Sequence, residues 1–255
     1  MGKFGDFIYS TMSKRDKVER CQQIIRDAEW QVLKAHFPEK SQFIDVGCGA
    51  GYTLKKATED LQCKGVGIDP EPGAHGVGRY SDNNHESLEI IEGSAENIPF
   101  EDQTFEVVFS SHVLEHVNDE QKSLREMKRV LKDDGILIIG MPTALMSWIN
   151  LFSNLIFTTH IRIYNFIRHL FSRNVLNNFL QLLHVRSHSY PRAKTIFYDL
   201  VHYRVKSWKK IVSQEFEVLE VIEPCLYPYP DFPQWFKLRK SRLGSSSVFF
   251  ICKKK

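Results

Sequence analysis

The stretch Phe43-Ile44-Asp45-Val46-Gly47-Cys48-Gly49-Ala50-Gly51 reads as a buried strand that runs into a glycine-rich turn. Phe43, Ile44 and Val46 supply the apolar strand. Gly47, Gly49 and Gly51 let the backbone turn sharply and approach a ligand without Cβ clashes. Tyr52 to Thr58 continues at helical spacing, which places a helix N-terminus with free N–H groups just past the turn. In an open α/β sheet, a glycine turn at a strand's carboxyl end is where a nucleotide-like cofactor sits.

Working outward, the apolar positions from Lys17 to Phe37 recur at helical spacing, and Pro38 stops that helix. Strand two is Gly65-Val66-Gly67-Ile68, closed by Asp69-Pro70, where an acidic side chain can accept ribose hydroxyl protons. Glu71 to Ser87 carries Gly73, Gly76 and Gly78, so a loop is expected there rather than a regular crossover helix. Strand three is Leu88 to Glu92, followed by Gly93-Ser94-Ala95-Glu96-Asn97-Ile98-Pro99-Phe100. Strand four is Phe105 to Ser110. A helix carrying His112 to Glu115 and a second from Asp119 to Leu131 are predicted next. Asp133-Asp134-Gly135 reads as a turn and Ile136 to Gly140 as strand five. A helix over Val205 to Gln214, strand six over Phe216 to Ile222 and strand seven over Ser247 to Cys252 complete the pattern. Strand–helix alternation predicts a largely parallel sheet with right-handed crossovers.

The spacing G-x-G-x-G differs from the G-x-G-x-x-G of dinucleotide sites. Asp45 precedes the first glycine, Asp69 ends the second strand and Ser94-Ala95-Glu96 follows the third. With these the chain resembles the class I S-adenosylmethionine-dependent methyltransferases, in the subgroup with the short D-V-G-C-G-x-G signature. The resemblance also rests on Gly67-Ile68-Asp69, Phe105-Glu106-Val107-Val108 leading to His112-Val113-Leu114-Glu115-His116, and Arg129-Val130-Leu131-Lys132 before Gly135. Glu106 stands where the family more usually has Asp.

The resemblance implies a Rossmann-like α/β fold: a seven-stranded, mostly parallel sheet with helices on both faces; the segment inserted after strand five, outside the resemblance, is read as a helical cap. The resemblance implies S-adenosyl-L-methionine as cofactor, cradled through its methionine part by Asp45, Gly47, Cys48, Gly49 and Gly51. Asp69, with Pro70 beside it, would hold the ribose, and Ser94, Ala95 and Glu96 would border the adenine. Ser111 and His112 would close the other edge. The domain plan that follows has an N-terminal helical extension at 1–38 and a cofactor-binding core at 39–142. A basic, aromatic helical insertion over 143–204 acts as substrate cap, and 205–255 completes the sheet.

Residues 135–198 contain no Asp or Glu, but carry Arg162, Arg168, Arg173, Arg186, Arg192 and Lys194 among Phe, Trp, Ile and Leu. Three amphipathic faces recur there by period, which suits a cap over the substrate pocket. A basic, apolar surface of this kind also suits peripheral contact between 143–194 and an anionic membrane. The uncharged run after Pro142 is too short to cross a bilayer. Its bases alternate with large aliphatics, so no nucleic-acid partner is expected.

An oxygen acceptor for the methyl group needs a base, and a histidine suits that role. His112 and His188 are the candidates, with His184 and His202 as alternatives. Tyr227, Tyr229 and Trp235, in the proline-aromatic loop after strand six, are candidates for the substrate pocket. His112-Val113-Leu114-Glu115-His116 also fits an inverted zinc-protease pattern, whose two His would share a helix face. The position of the segment after strand four makes no demand for metal, and none is expected.

The expected reaction is O-methylation of a sugar or lipid-linked glycan, suggested by a looser similarity of Arg192 to Trp208 and Tyr227 to Pro233 to methyltransferases of surface-polysaccharide pathways. A hydrophobic quinone or polyketide-type acceptor is the alternative, and a non-catalytic cofactor-binding scaffold is the alternative of another class. The chain of 255 residues has a formal net charge of +3, too small by itself to argue for nucleic acid, and five cysteines without a C-x-x-C pair. A reducing, cytoplasmic setting is expected, with the inner face of the membrane as a peripheral site. Met1 to Ser10 has no apolar run, so no signal peptide is expected.

Overall fold

The computed structural model describes residues 15–77, 89–152, 196–227 and 244–255. A long helix, α1 (Arg15–Leu33), opens the described chain, and a 3-10 turn, Lys34–His36, carries it to Pro38. Strands and helices then follow as β1 (Gln42–Val46), α2 (Tyr52–Leu61), β2 (Lys64–Asp69), β3 (Ile90–Glu92), β4 (Phe105–Ser111), α3 (Glu120–Val130) and β5 (Leu131–Pro142). A helical run over 144–152 leaves β5. Beyond it come α4 (Ile196–His202), α5 (Val205–Val212), β6 (Phe216–Ile222) and β7 (Ser247–Lys254).

The seven strands form one sheet in the order β3-β2-β1-β4-β5-β7-β6. The first five pair in parallel, and β7 runs antiparallel between β5 and β6. The parallel pairing is the predicted one, because the chain must cross back to the same edge of the sheet before each new strand begins. Register aligns the carboxyl ends. Val46 lies opposite Ile68 and Ser110, Asp69 opposite Glu92, and Ser111 opposite Gly140. The turns after β1, β2, β3 and β4 therefore open at one edge.

Side chains along each central strand alternate between two cores. Phe43, Val107, Phe109, Ile138, Phe249 and Ile251 face Trp30, Leu33 and Phe37 from the α1 end and Leu54 and Ala57 of α2. Ile44, Val46, Val108, Leu137 and Ile139 face Leu124, Met127 and Val130 of α3 and Trp208 and Val212 of α5. Helices thus cover both faces, as predicted. Alternation also decides the side of one charged residue: Asp45 shares the face of Phe43, under α1.

Two expectations are corrected. His112 to Glu115 is a turn, not a helix: His112 has φ 58°, in the left-handed region, which a helix cannot continue through. The histidines of the zinc-like pattern consequently do not share a helix face. Asp133-Asp134-Gly135 lies within β5, as an irregularity where the pairing register with β4 shifts between Phe105 and Val107. The pattern read those polar residues as a turn because a strand interruption has the same composition. The helices expected between 145 and 183 fall mainly outside the described residues. Among the described residues, no helix is long and apolar enough to cross a membrane.

Candidate active site

The glycine turn is held by its neighbours before any ligand is considered. Gly47 N–H and Cys48 N–H both donate to the Ile68 carbonyl, at 2.7 and 3.1 Å. The Asp69 carboxylate accepts from Gly49 N–H at 2.8 Å through one oxygen and from Glu71 N–H at 2.9 Å through the other. Gly73 N–H reaches back to the Gly49 carbonyl at 3.0 Å. The loop after β2 therefore closes over the turn. A Cβ on Gly49 would fall 2.5 Å from the His75 carbonyl oxygen, and Gly49 itself has φ 54°. Only glycine fits that position. Gly51, with φ 79°, is the N-cap residue of α2 and does not line the cleft described next.

A cleft of about 830 Å³ opens at this edge. Asp45, Gly47, Cys48, Gly49, Asp69 and Pro70 line one part of it, with Ser94, Ala95 and Glu96 after β3. Ser111, His112 and Tyr227 line another. The sequence-predicted residues, Gly51 and His202 apart, are brought together wherever they are described. His202 stands elsewhere: its ring stacks on Tyr198 at 3.8 Å, on an exposed part of α4. His184, His188, Tyr229 and Trp235 lie outside the described residues.

Glu96 has a second task. Its carboxylate accepts from Asn118 N–H at 2.7 Å and Asp119 N–H at 3.3 Å, tying the turn after β3 to the start of α3. Asp119 in turn caps α3 by accepting from Lys122 N–H at 2.9 Å. Glu106, the departure from the family pattern, accepts from Gln42 N–H at 2.9 Å and from Lys132 at 3.0 Å. It braces the amino ends of the strands, away from the cleft.

One wall was missed in the sequence. Gln22, Arg26 and Glu29 lie at i, i+4 and i+7 on α1, and all three line the cleft. Arg26 donates to Glu29 at 2.6 Å and to Ser111 Oγ at 3.2 Å. Glu29 is buried and also accepts a short hydrogen bond from Ser247 Oγ at the start of β7. Trp30 donates to Asp60 at 2.7 Å and Tyr52 to Asp27 at 2.6 Å, clasping α1 to α2. The available clue was Asp45 on the same strand face as Phe43, which calls for a polar partner from whatever helix covers that face.

Burial dominates the electrostatics. Asp45 is buried, and desolvation, helped by the nearby Asp69 charge, pushes its pKa up to about 7, while Arg26 and a Thr53 hydrogen bond pull the other way. Burial, with Glu29 adding to it, also pushes the Tyr227 hydroxyl well above its ordinary value. Burial pushes the Cys48 thiol up as well, so it is no ready nucleophile.

Residues 44–139 match the family model of a methyltransferase domain. This stretch is a methyltransferase domain, of the class I S-adenosylmethionine-dependent kind that the sequence resembles. Over 124 residues the chain is 37% identical to an ajmaline N-methyltransferase of Rauvolfia serpentina, covering 46% of this chain and 43% of that protein. Over 138 residues it is 30% identical to a ubiquinone/menaquinone biosynthesis C-methyltransferase of Campylobacter jejuni, covering 49% and 57%. The chain thus spans about half the length of the curated relatives it matches. In fold it is similar to a methyltransferase from Thermotoga maritima, described as a possible histamine N-methyltransferase, with TM-score 0.54, 17% identity and 93% and 92% of the two chains covered.

S-adenosyl-L-methionine is the cofactor of this methyltransferase domain. The donor set suits it: carboxylates for a cation and for hydroxyls, an arginine for a carboxylate, and a glycine backbone that a Cβ would block.

Proposed function

We propose that the protein transfers a methyl group from S-adenosylmethionine to a small-molecule acceptor bound in this cleft. The observation that carries the reading is the convergence of Asp45, the Gly47–Gly49 backbone, Asp69, Ser94–Glu96, His112, Arg26 and Tyr227 on one cleft. The cofactor supplies a methyl group already activated on sulfonium. Asp69 and Pro70 take the ribose end, Ser94, Ala95 and Glu96 the adenine, and Asp45 with the Gly47–Gly51 turn the methionine part. With the electrophile activated, alignment of the acceptor supplies much of the rate.

The acceptor favoured here is a hydroxyl of a sugar or lipid-linked glycan. Such an oxygen must lose a proton, and His112, at the end of β4, is the base assigned to it. A second reading is a hydrophobic quinone-type acceptor. It is supported by the apolar side chains of Ile25, Phe109, Met146 and Phe249 in the cleft and by the likeness to the quinone C-methyltransferase. The acid-free composition of 135–198 supports peripheral contact with an anionic membrane, which would bring a lipid-linked acceptor within reach.

Calorimetry with S-adenosylmethionine tests the first half of the proposal: wild type binds, and Asp69→Ala loses most of the affinity. Methyl-labelled cofactor offered with glycans, with quinones and with cell extract tests the second half. Label in a glycan supports the first acceptor and label in a quinone the second. Binding without transfer to any of them identifies a cofactor-binding scaffold and overturns the enzymatic reading. Sedimentation with anionic and neutral liposomes tests the membrane contact.

A further inference from the structure

The helical run over 144–152 is built with its polarity reversed. Ser147 and Asn150 are buried, at 1% and 8% exposed. Trp148 and Phe152 stand out, 45% and 56% exposed, with their rings stacked at 5.9 Å. A surface helix ordinarily turns its apolar stripe inward. α4 repeats the feature. Its Phe197 and Val201, at i and i+4, are 70% and 54% exposed, while its one acid, Asp199, is buried. The run and α4 meet where Ala144 N–H donates to the Tyr203 carbonyl at 2.8 Å. Elsewhere among the described residues only Ile24, Leu219 and Val221 are large, apolar and exposed. The outward apolar side chains therefore concentrate on the two helices that flank the segment 153–195.

Charge follows the same part of the chain. From Gly135 to Gln214 the sequence carries ten Arg and Lys and a single acid, which is Asp199. Arg204, Lys206, Lys209 and Lys210 come directly after α4 and are exposed. The described surface of this span thus carries formal charge of one sign. A second copy of the chain docked face to face would bring like charges together, which opposes that contact. An anionic bilayer answers both features. Its headgroups attract cations held near the surface, and aromatic rings settle at the headgroup level.

We infer that Trp148 and Phe152, with Phe197 and Val201, are the apolar anchors that seat this domain on an anionic bilayer. This rests on the peripheral-membrane contact proposed above and names the side chains that make it. Lying in the interface needs no spanning length, only apolar side chains buried in the headgroup boundary and cations beside them. The same run also reaches the cleft. Met146, two positions before Trp148, is buried against Ile25 and Tyr227 and lines the cleft with them. A helix seated in the interface is then also a wall of the site, which suits an acceptor held in the bilayer by an apolar tail.

The test is co-sedimentation with vesicles of phosphatidylcholine alone and of equal parts phosphatidylcholine and phosphatidylglycerol. Wild type is expected to bind the anionic vesicles and to keep part of that binding at high salt. Trp148→Ser/Phe152→Ser is expected to bind at least about tenfold more weakly at either salt concentration, from the lost burial of the rings. Lys206→Ala/Lys210→Ala lowers binding about fivefold per charge at low salt and little at high salt. Trp148→Phe, which keeps an apolar ring, retains binding but loses the share of tryptophan quenching by brominated lipid that Trp148 contributes. Thermal melts check that each variant folds. Wild-type binding that the serine variant matches, with no quenching lost in Trp148→Phe, overturns the inference and leaves a contact made by cations alone. Wild type that binds neither vesicle overturns the peripheral-membrane reading with it. A wild-type dimer in light scattering that the serine variant breaks, without vesicle binding, assigns the face to a second copy and overturns the inference as well.

Discussion

A methyl group added to Gly47 would fall 2.2 Å from Cγ2 of Val113. The turn after β1 and the turn after β4 are therefore fitted to each other at that point. Gly47 also has φ 76°, which strains any other residue. Gly47→Ala is expected to lower stability by about 1–3 kcal/mol, from left-handed strain and displacement of Val113. Because Val113 follows His112, cofactor affinity should fall and the His112 environment should change together. Denaturant melts, calorimetry and nitrogen NMR of His112 measure the three effects.

Asp45 gives a pH dependence of definite sign. Its folded pKa is pushed up to about 7, above the value for an exposed aspartate. The folded carboxyl therefore holds a proton that the unfolded chain releases at a lower pH. Its contribution to stability is full below the unfolded value and is lost as pH rises through about 7. Asp45→Asn, which cannot ionise, should lack this loss. Thermal melts of both proteins between acidic and neutral pH should show the wild type falling relative to the variant as pH rises, and parallel curves would refute the assignment.

Arg26 and Glu29 offer a double-mutant test. Removing Arg26 alone leaves the buried Glu29 charge without its cation. Arg26→Leu is expected to cost about 3–5 kcal/mol, as for other broken buried pairs. The double variant Arg26→Leu/Glu29→Leu should recover a large part of that loss, since an apolar replacement of the whole pair is often nearly neutral. Urea denaturation of the two singles and the double measures the coupling.

Trp208 ties α5 to the exit of β5. It is buried, and its indole N–H donates to the Pro142 carbonyl at 2.9 Å. Trp208→Phe keeps most of the packing but leaves that buried carbonyl unpaired, at a cost of about 1–3 kcal/mol. Trp208→Ala adds a cavity and should cost about 3–5 kcal/mol. A phenylalanine variant as unstable as the alanine one would show that the hydrogen bond, rather than the ring volume, dominates.

The strands carrying the cofactor motifs were legible because burial on both faces gives mostly apolar runs, as in Phe43 to Val46, broken only by Asp45, and Val107 to Phe109. Their common edge followed from topology, and the predicted residues converge there. The turn at His112 was not legible: Val113, Leu114 and Val117 have helical spacing, and only the left-handed φ of the preceding histidine breaks the helix. Arg26 and Glu29 were hidden for a different reason. On an amphipathic helix such residues read as a solvated face, and only the cleft beneath α1 shows that they point inward.

β7 is the last of the described strands in sequence, yet it lies inside the sheet, between β5 and β6. Ser247, at its start, is also the residue that reaches Glu29 on α1. A chain emerging from the ribosome can pair β1 to β5 early, but the wall of the cleft under α1 waits for residue 247. Until then Phe249, Phe250 and Ile251 are missing from the two cores, and Ile138 and Ile139 lie along an open edge of β5. Synthesis thus passes through a stage with its cofactor turn in place and an unpaired apolar strand exposed, which is where premature termination or delayed release would lead to aggregation.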